Sequence, residues 1–506
     1  MIDKLYLRSC LVALVLSLLL LCSSTIGKTI YVDDDAVGVN RGTSWANAYN
    51  SLQDALTDAN SAEKPVEIHV AQGVYTPDQG ADITRGDKGA AFQLINGVTV
   101  LGGFAGVGAI EPDDRNIEAY KTILSGDLAG DDAEIDNPDE FSSHPTRAEN
   151  SNTVVRGKET DQTAVLDGVT ITTGENGMVN DHGDPTVVNC TFTESSTGIY
   201  NHFCSPRLTN CTFKGLWLHA IGQFRGSLTL TNCMFTGNTW GAIDSLHAEL
   251  TLQDCTFIDN ESNLPIVSCF QQKNLRMYNC VFRNNVINFI AGVRVRAEEE
   301  FVADNCIFAG NVGTPILLHG GPMVISNCVF AGNVGGFYSS GIYSESQDTI
   351  IRNCTFSGKS SRIGGSALSL REGGEVSNCI FWDNSQPAID TREEEPFLSY
   401  CNIQGGWPGE GNIDVDPCFT MPGYWDQNGT PDDTTDDFWV DGDYHLKSEA
   451  GRWNPVSESW VTDDITSPCI DAGDPLTPVM YEPHPRGCFI NMGAYGGTEK
   501  ASKSSI

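Results

Sequence analysis

Through most of this chain apolar residues recur at a spacing of two, the period of a β-strand whose alternate side chains face one interior. The clearest register is a column of cysteines at 190, 211, 233, 255, 280, 306, 328, 354, 379 and 401. Two residues after each stands Phe192, Phe213, Phe235, Phe257, Phe282, Phe308, Phe330, Phe356, Phe381 and finally Ile403. The residue just before each Cys is Asn, except at Asp254 and Tyr400, and two residues before that an apolar residue always stands, from Val187 to Leu398. No repeat carries apolar residues at helical spacing, and each is too short for a pair of packed helices. The pattern therefore predicts coils of roughly 22 residues with three short strands each, stacked in parallel about 4.8 Å apart. That is an all-β fold, a right-handed parallel β-helix.

Within such a coil Cys and Phe share the inward phase, so Cys is expected to act as a small buried hydrophobe and Phe to stack on the Phe above. Zinc would need clustered cysteines, and the column supplies one per coil. Disulfides between coils are disfavoured because side chains in register do not point at one another. Cys418, Cys469 and Cys488 lie outside the column, and a disulfide is more plausible among them. The Asn before each Cys is expected to form an inner ladder, its amide bonding the next Asn and the turn backbone. On that reading the Asn-Cys-Thr triplets at Asn189, Asn210 and Asn353 are not glycosylation acceptors.

The pattern changes at both ends. Lys4 and Arg8, the apolar run "CLVALVLSLLLLC" and a small, polar stretch to Gly27 read as a secretory leader over residues 1–27. Cleavage near Gly27 is preferred over lipidation at Cys22, because Leu21 is bulky where lipoprotein signals carry a small residue. Residues 28–64 form an N-terminal cap, in which "SWANAYNSLQDALTDANSA" predicts one helix: Ala46, Tyr49, Leu52 and Leu56 recur at helical spacing and Ser44 is a candidate N-cap. Residues 65–185 are irregular first coils with an acidic insertion, "DLAGDDAEIDNPDEFSSHPTRAEN". Regular coils occupy 186–415, and 416–506 form a closing segment expected to cover the last coil.

Composition then narrows the function. The 506 residues carry a net charge of −36 at pH 7, and a leader holding Lys4, Arg8 and Asp3 contributes almost nothing to it. So acidic a chain argues against nucleic acid or an anionic membrane as partner. After the leader no apolar run is long enough for a transmembrane segment. A secreted, cell-surface or periplasmic location and a monomeric state are expected.

"TIYVDDDAVGVNRGTSWANAYNSLQDAL", "VEIHVAQGVYTP", "FQLINGVTVLGGFAG" and "TILSGDLAGDD", with the closing "DPCF…DGDYHL…SPCIDAGDP…INMGAYGG", resemble secreted bacterial right-handed β-helix proteins. That family is abundant in planctomycetes and distantly similar to chlamydial polymorphic outer membrane proteins. The resemblance implies the pectin-lyase-like superfold, whose members are often polysaccharide lyases or glycoside hydrolases, but it does not imply an activity for this chain.

Chemistry is expected on the outward face of the strand after the Cys-x-Phe strand. Its inward residues read as Ile199, Ile221, Ile243, Ile266, Val293, Ile316, Ile342, Leu368 and Ile389. One outward column is then Tyr200, Gly222, Asp244, Val267, Arg294, Leu317, Tyr343, Ser369 and Asp390. The second is His202, Phe224, Leu246, Cys269, Arg296, His319, Glu345, Arg371 and Arg392. Arg294, Arg296, His319, Tyr343, Glu345 and Arg371 fall on four successive coils and form the candidate ligand site. Guanidinium groups pair bidentately with carboxylate or sulfate, so a polysaccharide, and an anionic one above all, is the expected partner, with Tyr200, Phe224 and Tyr343 to stack on sugar rings. The competing reading is that these arginines answer the acidic runs Glu298–Glu300 and Glu393–Glu395.

Three functions follow: a non-catalytic carbohydrate-binding or cell-surface scaffold, a polysaccharide lyase, or a structural or adhesive solenoid without a ligand groove. In the lyase, Arg296, His319 and Tyr343 would be the candidate base and acid, although the face offers no carboxylate cluster for Ca2+. A hydrolase needs two nearby carboxylates, and Asp244 and Asp390 stand about 30 Å apart at six coils. No cofactor is assigned with certainty from the sequence. Ca2+ is a candidate ligand for the loop of Asp426, Asn428, Asp432, Asp433, Asp436 and Asp437, which lacks the Gly and terminal Glu of the EF-hand pattern.

Overall fold

The computed structural model describes residues 27–504, apart from 134, 136–143, 273, 298–299, 336–337, 359–365, 391–393, 431–432, 434–435 and 480. Residues 1–26 of the leader, Glu298, Glu299, Arg392, Glu393 and Asp432, all named above, lie outside the described residues.

Each regular coil holds three strands, as the repeat predicts. Thr197–His202, Arg207–Thr209 and Thr212–Lys214 follow one another. Each pairs in parallel one coil on, His202 with Phe224, Leu208 with Leu230 and Phe213 with Phe235. The first two strand families merge into a 25-stranded sheet, because strands such as Ile221–Thr231 and Ile243–Gln253 run through the corner between them. The third forms a separate 13-stranded sheet. The protein is a parallel β-solenoid.

Inside it, the Phe column stacks ring on ring, with centroids 4.4–5.0 Å apart and planes within 9° of parallel from Phe192 to Phe381. Each such pair contributes about 0.5–1.5 kcal/mol beyond its area burial. The ten column cysteines are buried and free. They behave as small hydrophobes whose thiols lean on nearby carbonyls, Cys233 Sγ lying 3.5 Å from Thr231 O. Burial pushes the Cys190 thiol up to about 12. Cys418, Cys469 and Cys488 are free as well, contrary to the expected disulfide. Cys469 is sealed in the interior, where its sulfur accepts from the Asn402 amide at 3.0 Å, whereas Cys488 is exposed.

The Asn before Cys forms a ladder, but on the outer side of the coil rather than inside, exposed at Asn210 and covered by the closing segment at Asn353 and Asn378. Nδ2 of Asn210 donates to Oδ1 of Asn189 at 3.0 Å, and Asn232 to Asn210 at 2.9 Å. The position favours Asn or Asp for a second reason. Its backbone is left-handed, with φ between 49° and 55° from Asn189 to Asn378, a conformation these two residues tolerate best after Gly. The inner ladder belongs to another Asn, five residues after Cys. Asn238, Asn260, Asn285, Asn311 and Asn333 are buried and joined amide to amide at 2.8–2.9 Å. Each Nδ2 also donates to the carbonyl of a Phe in the preceding coil, Asn285 to Phe257 O at 2.9 Å.

At the N-terminal end the predicted single helix divides. A short 3-10 turn, Trp45–Asn47, is followed by the α-helix Leu52–Ser61, capped by Ser51 rather than Ser44, with Ser51 Oγ accepting from Asp54 N. Between them Tyr49 bridges to Val32 as if a strand, which breaks the helical run. The helix buries Leu52, Ala55, Leu56 and Ala59 over the first coil.

The closing segment does not simply cover the last coil. The open end is closed earlier, where Ile413 bridges to Asn402 and Trp407 packs on the core. From Phe419 onward the chain folds back along the outside of the 13-stranded sheet. Phe419, Trp439, Tyr444, Leu446 and Met492 pack on Ala309, Val329, Ala331 and Ile380. Surface ladder residues there turn to the segment: Asn327 Nδ2 donates to Ala494 O and Gly496 O, and Asn353 Nδ2 to Asn491 O. Gly332, with φ 61°, lies directly under Trp439, whose ring a Cβ would meet at 2.2 Å. The docking is visible in sequence once the sheet is known. Outward residues beside Phe change from Thr191, Thr193, Thr212 and Lys214 to Ile307, Ala309, Val329 and Ala331. Among the described residues no helix is long and apolar enough to cross a membrane.

Asn285→Ala removes two donated and two accepted hydrogen bonds at a site 1% exposed. It is expected to lower the unfolding free energy by about 2–4 kcal/mol in equilibrium denaturation. A separate test concerns the thiols. A thiol reagent at mildly alkaline pH is expected to modify Cys488 in the native protein and the column cysteines only after denaturation, as counted by mass spectrometry.

Candidate functional site

Strand register determines which outward residues share a line along the 25-stranded sheet. One line runs Asp181, His202, Phe224, Leu246, Phe270 and Arg296. It continues through His319, Glu345 and Arg371, each one residue past the paired Leu318, Ser344 and Leu370. The neighbouring line runs Tyr200, Gly222, Asp244, Ser268, Arg294, Leu317, Tyr343, Ser369 and Asp390. Ser268 and Phe270 replace the expected Val267 and Cys269, which face inward and are buried. The cause is one extra residue at the corner after Pro265. Ile266 and Val267 are both fully buried, and Ile266 O accepts from both Ala242 N and Ile243 N, so the phase shifts by one.

Four of the six predicted ligand residues form one bonded network. His319 Nδ1 and Glu345 Oε2 are 2.6 Å apart, and the Tyr343 hydroxyl donates to Glu345 Oε1 at 2.8 Å. The Arg371 guanidinium lies 5.4 Å from the centre of the Tyr343 ring, and Tyr338 packs on that ring at 4.6 Å. Tyr343 is therefore buried together with Leu317, rather than open for sugar stacking as the sequence suggested. Burial, reinforced by the Glu345 hydrogen bond, pushes its phenol up to about 12. Burial also favours the neutral form of Glu345, but hydrogen bonds from His319 and Tyr343, with the charges of His319 and Arg371, outweigh it and hold the carboxyl below its ordinary value.

Arg294 and Arg296 stand beside this network on the preceding coil. Arg296 is exposed and its guanidinium lies 5.2 Å from the ring centre of Phe270, itself 39% exposed. Burial lowers the Arg294 pKa, and the adjacent charge of Arg296 lowers it further. Among the described residues no carboxylate pairs with either, and Glu300, expected to answer them, instead lies 3.8 Å from Arg276.

A second cluster stands at the other end of the same line. Asp181 Oδ1 lies 2.9 Å from His182 Nδ1 and 3.0 Å from His202 Nδ1. His202 stacks on Phe224 at 5.4 Å, and His182 on Phe203 at 5.3 Å. The two histidines hold the Asp181 carboxyl below its ordinary value through these hydrogen bonds. Sequence reasoning placed His202 on the line but missed Asp181 and His182. The signal was present, since Asp181 precedes His202 by 21 residues, the same interval as from Cys190 to Cys211.

The remaining described candidates make local polar contacts. Asp390 Oδ2 accepts from Ser369 at 3.2 Å, and Asp244 is six register steps away. In the loop joining Tyr424–Asp426 to Phe438–Val440, Asp426 Oδ1 accepts from Asn428 N, and Asp436 accepts from Asn428 Nδ2 and Thr430 Oγ1. Among the described residues that loop presents no three acidic, His or Cys ligand atoms within 4.8 Å of one another. A cavity of about 440 Å³ lies near the start of the solenoid, lined by Lys88, Arg147, Asn150, Glu175 and Leu218. Its Arg147 is committed to Asp132 at 3.6 Å and to Glu194 O at 3.1 Å.

A family model described as a right handed beta helix region matches residues 167–330 and 291–410, and one described as disaggregatase related matches 424–473. The stacked coils are thus a right-handed parallel β-helix. Among solved structures, a rhamnogalacturonan lyase is 12% identical with a TM-score of 0.41, over 78% of this chain and 91% of that one. A pectate lyase is 13% identical with a TM-score of 0.41, over 93% and 97%. The receptor-binding tailspike of bacteriophage Det7 is 10% identical with a TM-score of 0.32, over 79% and 78%. No curated protein matches the chain.

The depressed Glu345 carboxyl contributes stability that is present above its ordinary value of 4.5 and lost as the pH falls through its folded value. Glu345→Gln is therefore expected to lower the melting temperature at pH 6, with the gap to wild type narrowing below pH 4.5. Calorimetric scans across that range measure it.

Proposed function

We propose that the protein is an exported, non-catalytic solenoid that binds an anionic polysaccharide along the line from Phe224 to Arg296. The observation carrying this reading is the pair Arg294 and Arg296 beside exposed Phe270, with the Arg296 guanidinium 5.2 Å from that ring's centre. In a chain of net charge −36, guanidinium groups left facing outward suit an external anion, and the aromatic ring beside them suits the face of a sugar. Phe224, Leu246 and Phe270 at successive coil spacings provide a strip along which an extended chain can lie. The His319–Glu345–Tyr343 network supports binding over catalysis. Both Glu345 oxygens are engaged, and a buried phenol with a raised pKa is a poor base.

One observation favours a second reading, a polysaccharide lyase. The short His319–Glu345 contact orients an imidazole as a general base would be oriented, one coil from Arg296.

Binding to immobilised uronate-containing, sulfated and neutral polysaccharides separates these readings. Acidic chains are expected to bind, neutral ones not, and added salt should weaken the complex. Arg296→Ala and Phe270→Ala are each expected to reduce affinity by about tenfold. Ultraviolet absorbance of unsaturated uronate products, lost in His319→Ala, would replace the binding reading by the lyase. Absence of binding to any glycan would leave a structural solenoid.

A further inference from the structure

We propose that Asp181, His182 and His202 form a binding site for a divalent transition metal of the zinc type, with three protein ligands and open coordination positions. The three side chains reach one point for reasons of backbone geometry. Asp181 and His202 are register partners on adjacent parallel strands, Asn176–Asp181 and Thr197–His202, so their side chains leave the same face one coil spacing apart. His182 follows Asp181 and would point to the opposite face if the strand continued. Instead its backbone turns left-handed, with φ 50°, and its ring swings beside Asp181.

The resulting donor geometry suits a metal. The nearest nitrogens of both imidazoles lie 2.9 and 3.0 Å from the same carboxylate oxygen, and one ligand atom from each residue falls within 4.8 Å of the other two. Ligands bound at about 2.0–2.1 Å in octahedral or tetrahedral order stand roughly 2.9–3.4 Å from one another. Without metal, each imidazole directs an Nδ1 proton at Asp181 Oδ1. With metal, each ring carries its proton on Nε2, and Nδ1 is the ligand. The rings are already positioned, His202 between the face of Phe224 and the edge of Phe203, and His182 on the face of Phe203. Two imidazoles and one carboxylate select zinc, nickel, copper or iron over Ca2+ or Mg2+, which prefer oxygen ligands alone. All three side chains are partly exposed, so the ion has access and its remaining positions are open to water or a ligand oxygen.

The test uses the untagged full chain, Zn2+ titration by calorimetry and metal counting after dialysis, and Co2+ as an absorbing substitute. One equivalent of Zn2+ is expected per chain, with Co2+ giving visible bands of nitrogen and oxygen ligation and Ca2+ failing to compete. Asp181→Asn and His182→Asn should each reduce affinity at least about tenfold. His182→Asn is expected to preserve folding, since Asn accepts the left-handed backbone, and circular dichroism checks it. Zinc uptake equal in wild type and both variants, or no stoichiometric uptake by wild type, would overturn the site and leave a hydrogen-bonded trio.

Discussion

The buried amides of the inner asparagine ladder are satisfied largely by the coils on either side of them, and that requirement is the organising constraint of this protein. Each of Asn238, Asn260, Asn285 and Asn311 donates to the next asparagine along the stack and to a Phe carbonyl in the coil before it. A coil that slipped by one residue would leave both its own amide and its neighbour's unpaired in an apolar interior, at about 1–3 kcal/mol each. The Phe column depends on the same register, because the rings stack only if every coil returns to the same phase. Cysteine then fits the space beside Phe because it is small and its thiol needs no strong partner.

With the interior repetitive, the differences among coils lie outside. The 13-stranded sheet is used for assembly: from about Ile307 onward its outward residues become small or apolar, and the closing segment settles there through Trp439, Tyr444 and Leu446. Arg283 joins that contact through Asp441 at 2.7 Å. This lateral docking leaves the outward lines of the 25-stranded sheet for polar chemistry.

Along those lines electrostatics divides the face. At one end Asp181 gathers two histidines, and near the other Glu345 gathers His319 and Tyr343. In both places hydrogen bonds from neighbouring side chains hold a carboxyl below its ordinary value. From Asp181 to His319 there are six register steps, roughly 29 Å at the coil spacing, and between the two clusters lie an apolar strip and one arginine pair.

The spacing of Cys, Phe and the residues before them was enough to establish the coil, its three strands and its parallel stacking, because a period of two with one inward phase has a single solution at that repeat length. It also placed Arg296, His319, Glu345 and Arg371 on one line. It misjudged residues whose role depends on a corner or a neighbour. Pro265 and the extra residue after it moved Phe270 to the surface and Cys269 inside. Asn before Cys was assigned to the interior when its left-handed backbone holds it on the outer side of the coil. Tyr343 was expected in the open, yet Tyr338, in the turn five residues before it, covers it. His182 joined Asp181 only because a left-handed turn reverses its direction. Local periodicity encodes which way a strand residue points; corners, left-handed turns and loops that return from elsewhere decide which side chains meet, and those are properties of the folded coil.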